Sequence, residues 1–221
     1  MQAMTFAAFL AGSVLGASSA FCQSSDSTGE RQTAQEEGTL PAGWSARPDK
    51  DGDPKKIKFV TMEPGYHLTL GPATILHRAE DRANGPFHTL ATFHQMKKLE
   101  HSEGYGLFIG GQALSGKEQS YTYFLVRDDG TYLIKRRTGD KATEVTRGWT
   151  SHPAIKRGDA QGKTSNLLEI DAKRDPKRIS FLVNGKEVHW VAANRMETKG
   201  IIGIRANHNL DLHVEGFAVH Q

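Results

Sequence analysis

The sequence has a single cysteine, Cys22, among its 221 residues, so a disulfide within the chain is excluded. Outside the N-terminal region, no segment of ten or more residues repeats apolar side chains with the 3.6-residue period of a helix. Gly-x-Ser-x-Gly, Walker and Rossmann patterns are also missing, and with them the usual signatures of α/β-hydrolases and nucleotide-binding enzymes. The net charge of +3 is mild, and Lys and Arg are interspersed with Asp and Glu. We therefore expect no nucleic-acid partner.

Long apolar runs are equally scarce, and the one that exists spans residues 4–21. Its position and its small residues predict a signal peptide over residues 1–21, with cleavage after Ala20, although no Lys or Arg precedes the run. An uncleaved membrane anchor is the alternative, but the run is short and rich in Ala, Gly and Ser. Cys22 follows directly and is a candidate for lipid attachment, for which Phe21 is a poor preceding residue. The expected location is secreted or periplasmic.

Turn residues and short strand-like runs dominate the rest of the chain. Residues 22–54 are polar and turn-rich, and we predict a linker there, with Trp44 docked on the edge of the domain. The 23 glycines favour a turn-rich β protein. Asn184-Gly185 is a strong signal for a two-residue hairpin turn, because both positions favour positive φ. About a dozen strands without helices predict an all-β fold over residues 55–221, with two antiparallel sheets packed as a sandwich.

The stretch from Tyr121 to Arg137 is predicted to form a β-hairpin around Asp128-Asp129-Gly130, a three-residue loop with glycine last. If Arg127 faces Thr131 across this turn, alternation sorts the side chains of both strands onto two faces. One face is apolar and suits a core: Phe124, Val126, Tyr132 and Ile134. The other face is aromatic and basic and suits a working surface: Tyr121, Tyr123, Leu125, Leu133, Lys135 and Arg137.

A series of motifs carries a family resemblance through its order. The motifs are Gly104–Ile109, Tyr121–Val126 with Asp129-Gly130 after it, Asn166–Ile170, Ile179–Gly185 and Gly200–Ile204. Together they cover roughly residues 87–219, and they resemble the concanavalin A-like lectin/glucanase superfamily. Within it, the chain looks like the laminin G-like and DUF1080 (3-keto-disaccharide hydrolase-like) modules. The resemblance implies a jelly-roll sandwich with a concave sheet and, as a family tendency, sugar binding.

Two carboxylates raise the question of catalysis. Glycoside hydrolysis needs a pair of carboxyl groups about 5 to 9.5 Å apart. Glu169 and Asp171 share a strand face roughly 7 Å apart, which resembles part of the family 16 glucanase signature. However, Lys173 and Arg174 stand where the closing carboxylate of that signature falls. A solvent-exposed strand face is therefore the favoured interpretation.

The ten histidines raise the question of a metal. His88 and His94 share a strand face but lie about 20 Å apart by strand rise, too far for one ion. His208 and His213 bracket a turn without the spacing of a ligand motif. We expect no cofactor, although a structural calcium ion is compatible with the fold family.

The aromatic and basic face of the hairpin is thus the candidate ligand site. Sugars bind by laying their apolar C–H faces on aromatic rings while polar side chains fix their hydroxyl groups, and this face offers both. The predicted binding residues are Tyr121, Tyr123, Lys135 and Arg137, with His94 and Gln112 from adjoining strands. The alternative is that the N-terminal segment or Trp149 covers the face, since Leu125 and Leu133 favour cover.

The function predicted from these observations is a secreted, non-catalytic module that binds carbohydrate or another extracellular ligand on its concave sheet. A glycoside hydrolase of the 3-keto-disaccharide hydrolase type is the first alternative, and it depends on the resemblance alone. A structural or protein-interaction module is the second.

Overall fold

The computed structural model describes residues 40–49 and 51–221. The predicted signal peptide, Cys22 and residues 23–39 of the predicted linker lie outside the described residues. Two short 3-10 helices occur in the described part, at Pro54–Lys56 and Ala193–Arg195. No helix there has the length and hydropathy needed to span a bilayer. The strands of the described part are β1 Trp44–Pro48, β2 Ile57–Met62, β3 Gly65–Leu70, β4 Thr74–Ala83, β5 His88–Gln95, β6 Tyr105–Gln112, β7 Ser120–Val126, β8 Thr131–Thr138, β9 Lys141–Glu144, β10 Thr150–Ser151, β11 Thr164–Asp171, β12 Arg178–Val183, β13 Lys186–Ala192, β14 Gly200–Ala206 and β15 Asp211–His220.

These strands form two antiparallel sheets. The first sheet has the order β1-β4-β14-β6-β7-β8-β10, with β9 paired to β8. The second has the order β13-β12-β11-β5-β15-β3-β2. The predicted all-β, two-sheet antiparallel sandwich is therefore confirmed.

The hydrophobic core lies between the sheets and follows from one-residue alternation along each strand. In β5, every second side chain is buried while the intervening ones are half-buried, the pattern of a strand with one face on a core. Phe124 of β7 meets Phe181 of β12 across the sandwich, with ring centroids 5.3 Å apart and a T-shaped arrangement. Apolar side chains from both sheets therefore interdigitate in one continuous core.

The predicted hairpin has the expected register. Arg127 N donates to Thr131 O at 2.9 Å, and Gly130 closes the turn at φ +82°. Tyr123 then pairs with Lys135, and Phe124 with Ile134, as predicted. The turn at Asn184-Gly185 is confirmed as well, with φ values of 51° and 73°.

The sandwich begins earlier than predicted. Strand β1, Trp44–Pro48, lies inside the stretch assigned to the linker, yet it pairs with β4 at the edge of the first sheet. Trp44, predicted to dock on the edge of the domain, lies in this edge strand, but its side chain is buried in the core and packs edge-on against Phe59 with ring centroids 4.9 Å apart. The strand escaped prediction because its polar residues and two prolines nearby are typical of a linker.

Two other strand predictions differ from the structure. The run Val145–Trp149 is not a strand; it connects β9 to β10. Strand β4 continues past the predicted His77 to Ala83. Its second half is charged because it lies near the sheet edge, where side chains reach water, and this hid the strand pattern.

Candidate ligand-binding face

The outer surface of the first sheet carries the aromatic and basic side chains of the hairpin. Since their neighbours along each strand point into the core, these side chains project from the opposite side of the sheet. We call this surface the arginine–tyrosine face and define it by Phe108 of β6, Tyr121 and Tyr123 of β7, Arg137 of β8 and Arg205 of β14. Its rings form a chain, with centroid distances of 5.2 Å from Phe108 to Tyr121 and 5.8 Å from Tyr121 to Tyr123.

Asp49 joins the two arginines of this face. Arg205 donates from Nη1 and Nη2 to the two carboxylate oxygens, at 2.7 Å each. Arg137 Nη2 donates to one of the same oxygens at 3.2 Å. Strands β14 and β8 are separated by β6 and β7, a span of about 14 Å at the usual strand spacing. Both long side chains therefore lean across the face to reach one carboxylate.

The electrostatics of the cluster follow from this geometry. Burial alone would raise the pKa of Asp49, but the hydrogen bond from Arg205 and the charges of Arg205 and Arg137 outweigh it and hold the pKa below its ordinary value. Burial raises the pKa of Tyr121 and of Tyr123, so both phenols stay protonated at neutral pH. The Arg205 guanidinium also lies over the Tyr123 ring, 5.7 Å from its centroid.

Three buried polar atoms of the face make no hydrogen bond within the described part of the chain. They are Tyr121 Oη, Arg137 Nε and Arg205 Nε. Tyr121 is only 2% exposed, and a buried polar group without a partner costs free energy. The face thus contains two buried N–H donors and one buried hydroxyl group that make no hydrogen bond within the described residues.

Apolar side chains cover part of this surface, as the alternative interpretation of the sequence anticipated. Leu125 is buried in an apolar cluster against which Trp149 packs. The glycine at position 104 leaves room for the Trp149 ring, because a Cβ atom there would lie only 2.7 Å from that ring. The Arg127 guanidinium stacks on the Trp149 ring, with Cζ 3.7 Å from the ring centroid. Tyr123 is 7% exposed, so the tyrosines form the floor of the face and not an open platform.

Four of the six predicted binding residues lie together on this face: Tyr121, Tyr123, Lys135 and Arg137. Lys135 lies at its margin, where Nζ is 3.4 Å from a carboxylate oxygen of Glu144. Gln112 is exposed at the end of β6, and its Nε2 donates to Lys199 O at 2.8 Å. Whether these side chains bind a ligand stays a prediction.

His94 was wrongly expected beside the tyrosines. It lies on the outer surface of the second sheet, because β5 belongs to that sheet and Phe93 and Gln95 take its inward positions. There it forms a cross-strand row with His213 and His67. His94 and His213 both place Nε2 near one oxygen of Glu215, at 3.4 and 3.3 Å.

The two carboxylates considered for catalysis, Glu169 and Asp171, make contacts elsewhere on the second sheet. Glu169 contacts His88 Nε2 at 3.0 Å, and Asp171 accepts from the backbone N–H groups of Lys173 and Arg174. Burial would raise the pKa of Asp171, but these two hydrogen bonds outweigh it and the pKa is lowered. Within the described residues, no group of three or more His, Cys, Asp or Glu side chains has a geometry that could hold a metal ion.

Sequence reasoning missed Asp49 and Arg205, the two central residues of the cluster. Asp49 fell in the predicted linker. Arg205 had a recognisable signal, since a cation between Ile204 and Ala206 in a buried strand pattern must face away from the core.

Comparison with known proteins shows similarity of fold. No protein-family model matches the sequence, and no curated protein matches it. Among solved structures, the carbohydrate-binding module CBM66 from Bacillus subtilis is similar at a TM-score of 0.57 and 10% identity, covering 81% of this chain and 96% of that chain. The carbohydrate recognition domain of Emp47p is similar at a TM-score of 0.55 and 9% identity, covering 83% of this chain and 90% of that chain. The VIP36 exoplasmic/lumenal domain in its Ca²⁺/Man2-bound form is similar at a TM-score of 0.53 and 9% identity, covering 84% of this chain and 85% of that chain.

Proposed function

We propose that this protein is a secreted, non-catalytic β-sandwich that binds carbohydrate on the arginine–tyrosine face. The observation that carries the proposal is the set of buried, unpaired polar atoms there, beside a row of aromatic rings. Sugar sites combine such rings with a few well-placed donors and acceptors. The apolar face of a sugar would pack near Tyr123 and Trp149, and its hydroxyl groups would hydrogen-bond to these polar atoms once the side chains that cover them move aside.

The fold comparison supports this proposal without naming a ligand for this chain. The similar structures are a carbohydrate-binding module, a carbohydrate recognition domain and a lumenal domain in a Man2-bound form. At 9 to 10% identity they share the sandwich and nothing closer. The choice of surface therefore comes from the residues of this chain. Secretion is inferred from the apolar run at residues 4–21.

The proposal of a non-catalytic role follows from how the carboxylates are used. A glycosidase needs one carboxyl group kept protonated and a second one ionised. On the arginine–tyrosine face, the pKa of Asp49 is lowered, so this group is ionised and already bonded to two arginines. Asp171 is likewise held ionised by its turn. Neither suits the role of a general acid.

Removal of single hydroxyl groups tests the proposed surface with little effect on folding. Tyr121→Phe deletes an unpaired Oη, so the variant should remain folded while glycan binding weakens about three- to tenfold, the worth of one hydrogen bond. Tyr132→Phe is the matched control, because Tyr132 lies on the core-facing side of the same hairpin. Binding is measured by glycan array followed by titration calorimetry.

Three outcomes would overturn the proposal. One is the absence of binding to any glycan on the array. Another is equal binding by Tyr121→Phe, Tyr132→Phe and the unmodified protein. Release of reducing sugar that is lost on Glu169→Gln or Asp171→Asn would assign a hydrolase instead.

A further inference from the structure

We propose that the ligand of the arginine–tyrosine face is a carboxylate-bearing sugar, and that Asp49 takes the place of the ligand carboxylate in the unliganded protein. This inference deepens the proposed function and rests on it. It concerns the class of sugar, and it assigns Asp49 a role as an internal competitor for the site.

The geometry at Asp49 is that of carboxylate recognition. Two guanidinium groups from different strands bracket one planar carboxylate, with contacts of 2.7, 2.7 and 3.2 Å. The planar fork of arginine matches a carboxylate through paired parallel hydrogen bonds. The face therefore already binds the chemical group that we assign to the ligand.

The two arginines are used unequally. Arg205 donates hydrogen bonds from both terminal nitrogens to Asp49 and is almost fully buried. Arg137 makes one longer bond to the same carboxylate, from Nη2 alone. Its terminal nitrogens therefore become available to a ligand carboxylate once the Asp49 side chain turns away.

The charge balance points the same way. Arg137 and Arg205 share the single carboxylate of Asp49, and Arg47 and Arg127 add further positive charge beside Tyr121 and Trp149. A neutral sugar that displaced Asp49 would leave Arg137 and Arg205 without this counter-ion, whereas the carboxylate of a uronate would replace it.

Asp49 can leave the site without unfolding of its segment. Its backbone N–H donates to Ala73 O at 2.7 Å, a contact that holds the main chain while the side chain rotates. The Asp49 side chain is also the most exposed of the three, with 29% of its surface accessible to solvent against 13% for the Arg137 side chain and 5% for the Arg205 side chain. A ligand entering from solvent thus meets the Asp49 carboxylate and Arg137 before it meets Arg205.

A charge-matched pair of variants tests the assignment. Arg137→Gln removes the proposed ligand contact, and Arg136→Gln removes the same charge from the exposed opposite side of the same strand. We expect oligogalacturonate to bind the unmodified protein and the Arg136→Gln variant equally. Its affinity for Arg137→Gln should fall at least about tenfold, because a hydrogen bond to a charged group is lost. Asp49→Ala should bind it more tightly, since the internal competitor is gone.

The same titrations separate this inference from the proposed function. Binding of neutral glycans that depends on Tyr121 but not on Arg137 would overturn the carboxylate assignment and leave the carbohydrate-binding proposal standing. Preference for sulfated over uronate oligosaccharides would also overturn it, as would equal losses in Arg136→Gln and Arg137→Gln. Weaker oligogalacturonate binding by a folded Asp49→Ala variant would contradict the competitor role of Asp49. No binding to any glycan would instead refute the proposed function itself.

Discussion

Replacement of Asp49 by asparagine should destabilise the fold far more than the position of Asp49 near the N-terminal edge of the domain suggests. The substitution keeps the size of the side chain but removes its charge. Arg205 then remains buried without a counter-ion, because the structure gives its guanidinium no other carboxylate within the described residues. Arg137 loses the same partner but is better placed to reach water.

The size of the effect follows from burial. Loss of one partner of a buried ion pair costs about 3 to 5 kcal/mol. Because Asp49 is 29% exposed, water can reach part of the cluster, and we expect the lower end, about 3 kcal/mol. For a domain of this size, each kcal/mol shifts the melting temperature by about 2 to 4 °C, so the expected drop is about 6 to 12 °C.

The pair formed by Arg78 and Asp81 is the matched control. It has similar hydrogen bonds, at 2.7 and 3.1 Å, but the Arg78 side chain is 24% exposed and Glu80 lies 3.6 Å from its Nε. Asp81→Asn should therefore cost only about 1 kcal/mol, as expected for a pair that solvent and a second carboxylate can replace.

Calorimetry and urea denaturation at pH 7 measure both variants, and two results would refute the reasoning. One is an Asp49→Asn variant within about 1 kcal/mol of the unmodified protein, which would mean that Arg205 does not depend on Asp49. The other is a larger loss for Asp81→Asn than for Asp49→Asn. Addition of galacturonate should restore part of the stability of Asp49→Asn, because a ligand that binds only the folded state stabilises it.

Two further predictions concern the core and the pH dependence. Phe124→Ala should cost about 3 to 5 kcal/mol in urea denaturation, because Phe124 is fully buried against Phe181; a loss below about 1 kcal/mol would contradict the assigned core. Burial lowers the pKa of His77 from its ordinary 6.5, so in the range between this lowered pKa and 6.5 the unfolded chain binds more protons at His77 than the folded protein does. Stability should thus fall as the pH drops from about 7.5 to 5.5, and His77→Gln should reduce that slope; an unchanged slope would exclude His77 as the cause.

Local signals account for the parts of the fold that the sequence predicts well. The hairpin at Asp128-Asp129-Gly130 was predictable because turn chemistry fixes the register, and the register fixes which side chains share a face. The same logic identified Tyr121, Tyr123, Lys135 and Arg137 as neighbours. It needs no knowledge of the rest of the chain.

Longer-range features were out of reach for physical reasons. Alternation tells which side chains of a strand share a face, but not to which sheet the strand belongs, and so His94 was placed on the wrong surface. The ion pair of Asp49 with Arg205 joins residues 156 positions apart, and no local pattern encodes such a contact. Asp49 also follows a strand whose sequence resembles a linker.

The outer surfaces of the two sheets use charge in different ways, and the difference supports a functional role for the first. On the second sheet, His67 and His94 lie near carboxylates of the adjacent strand, and these side chains are 20 to 37% exposed, although His67 Nδ1 and Asp211 Oδ1 are buried without a hydrogen-bond partner within the described residues. On the first sheet, Arg205 is buried and depends on a carboxylate from a distant segment. If these side chains only shielded the sheet from solvent, apolar residues would do so equally well, because replacement of a buried ion pair by hydrophobic residues is often neutral or stabilising. Two arginines and an unpaired Tyr121 hydroxyl stabilise the fold less than apolar side chains in the same space would. Such departures from the most stable packing are expected where a protein binds its ligand.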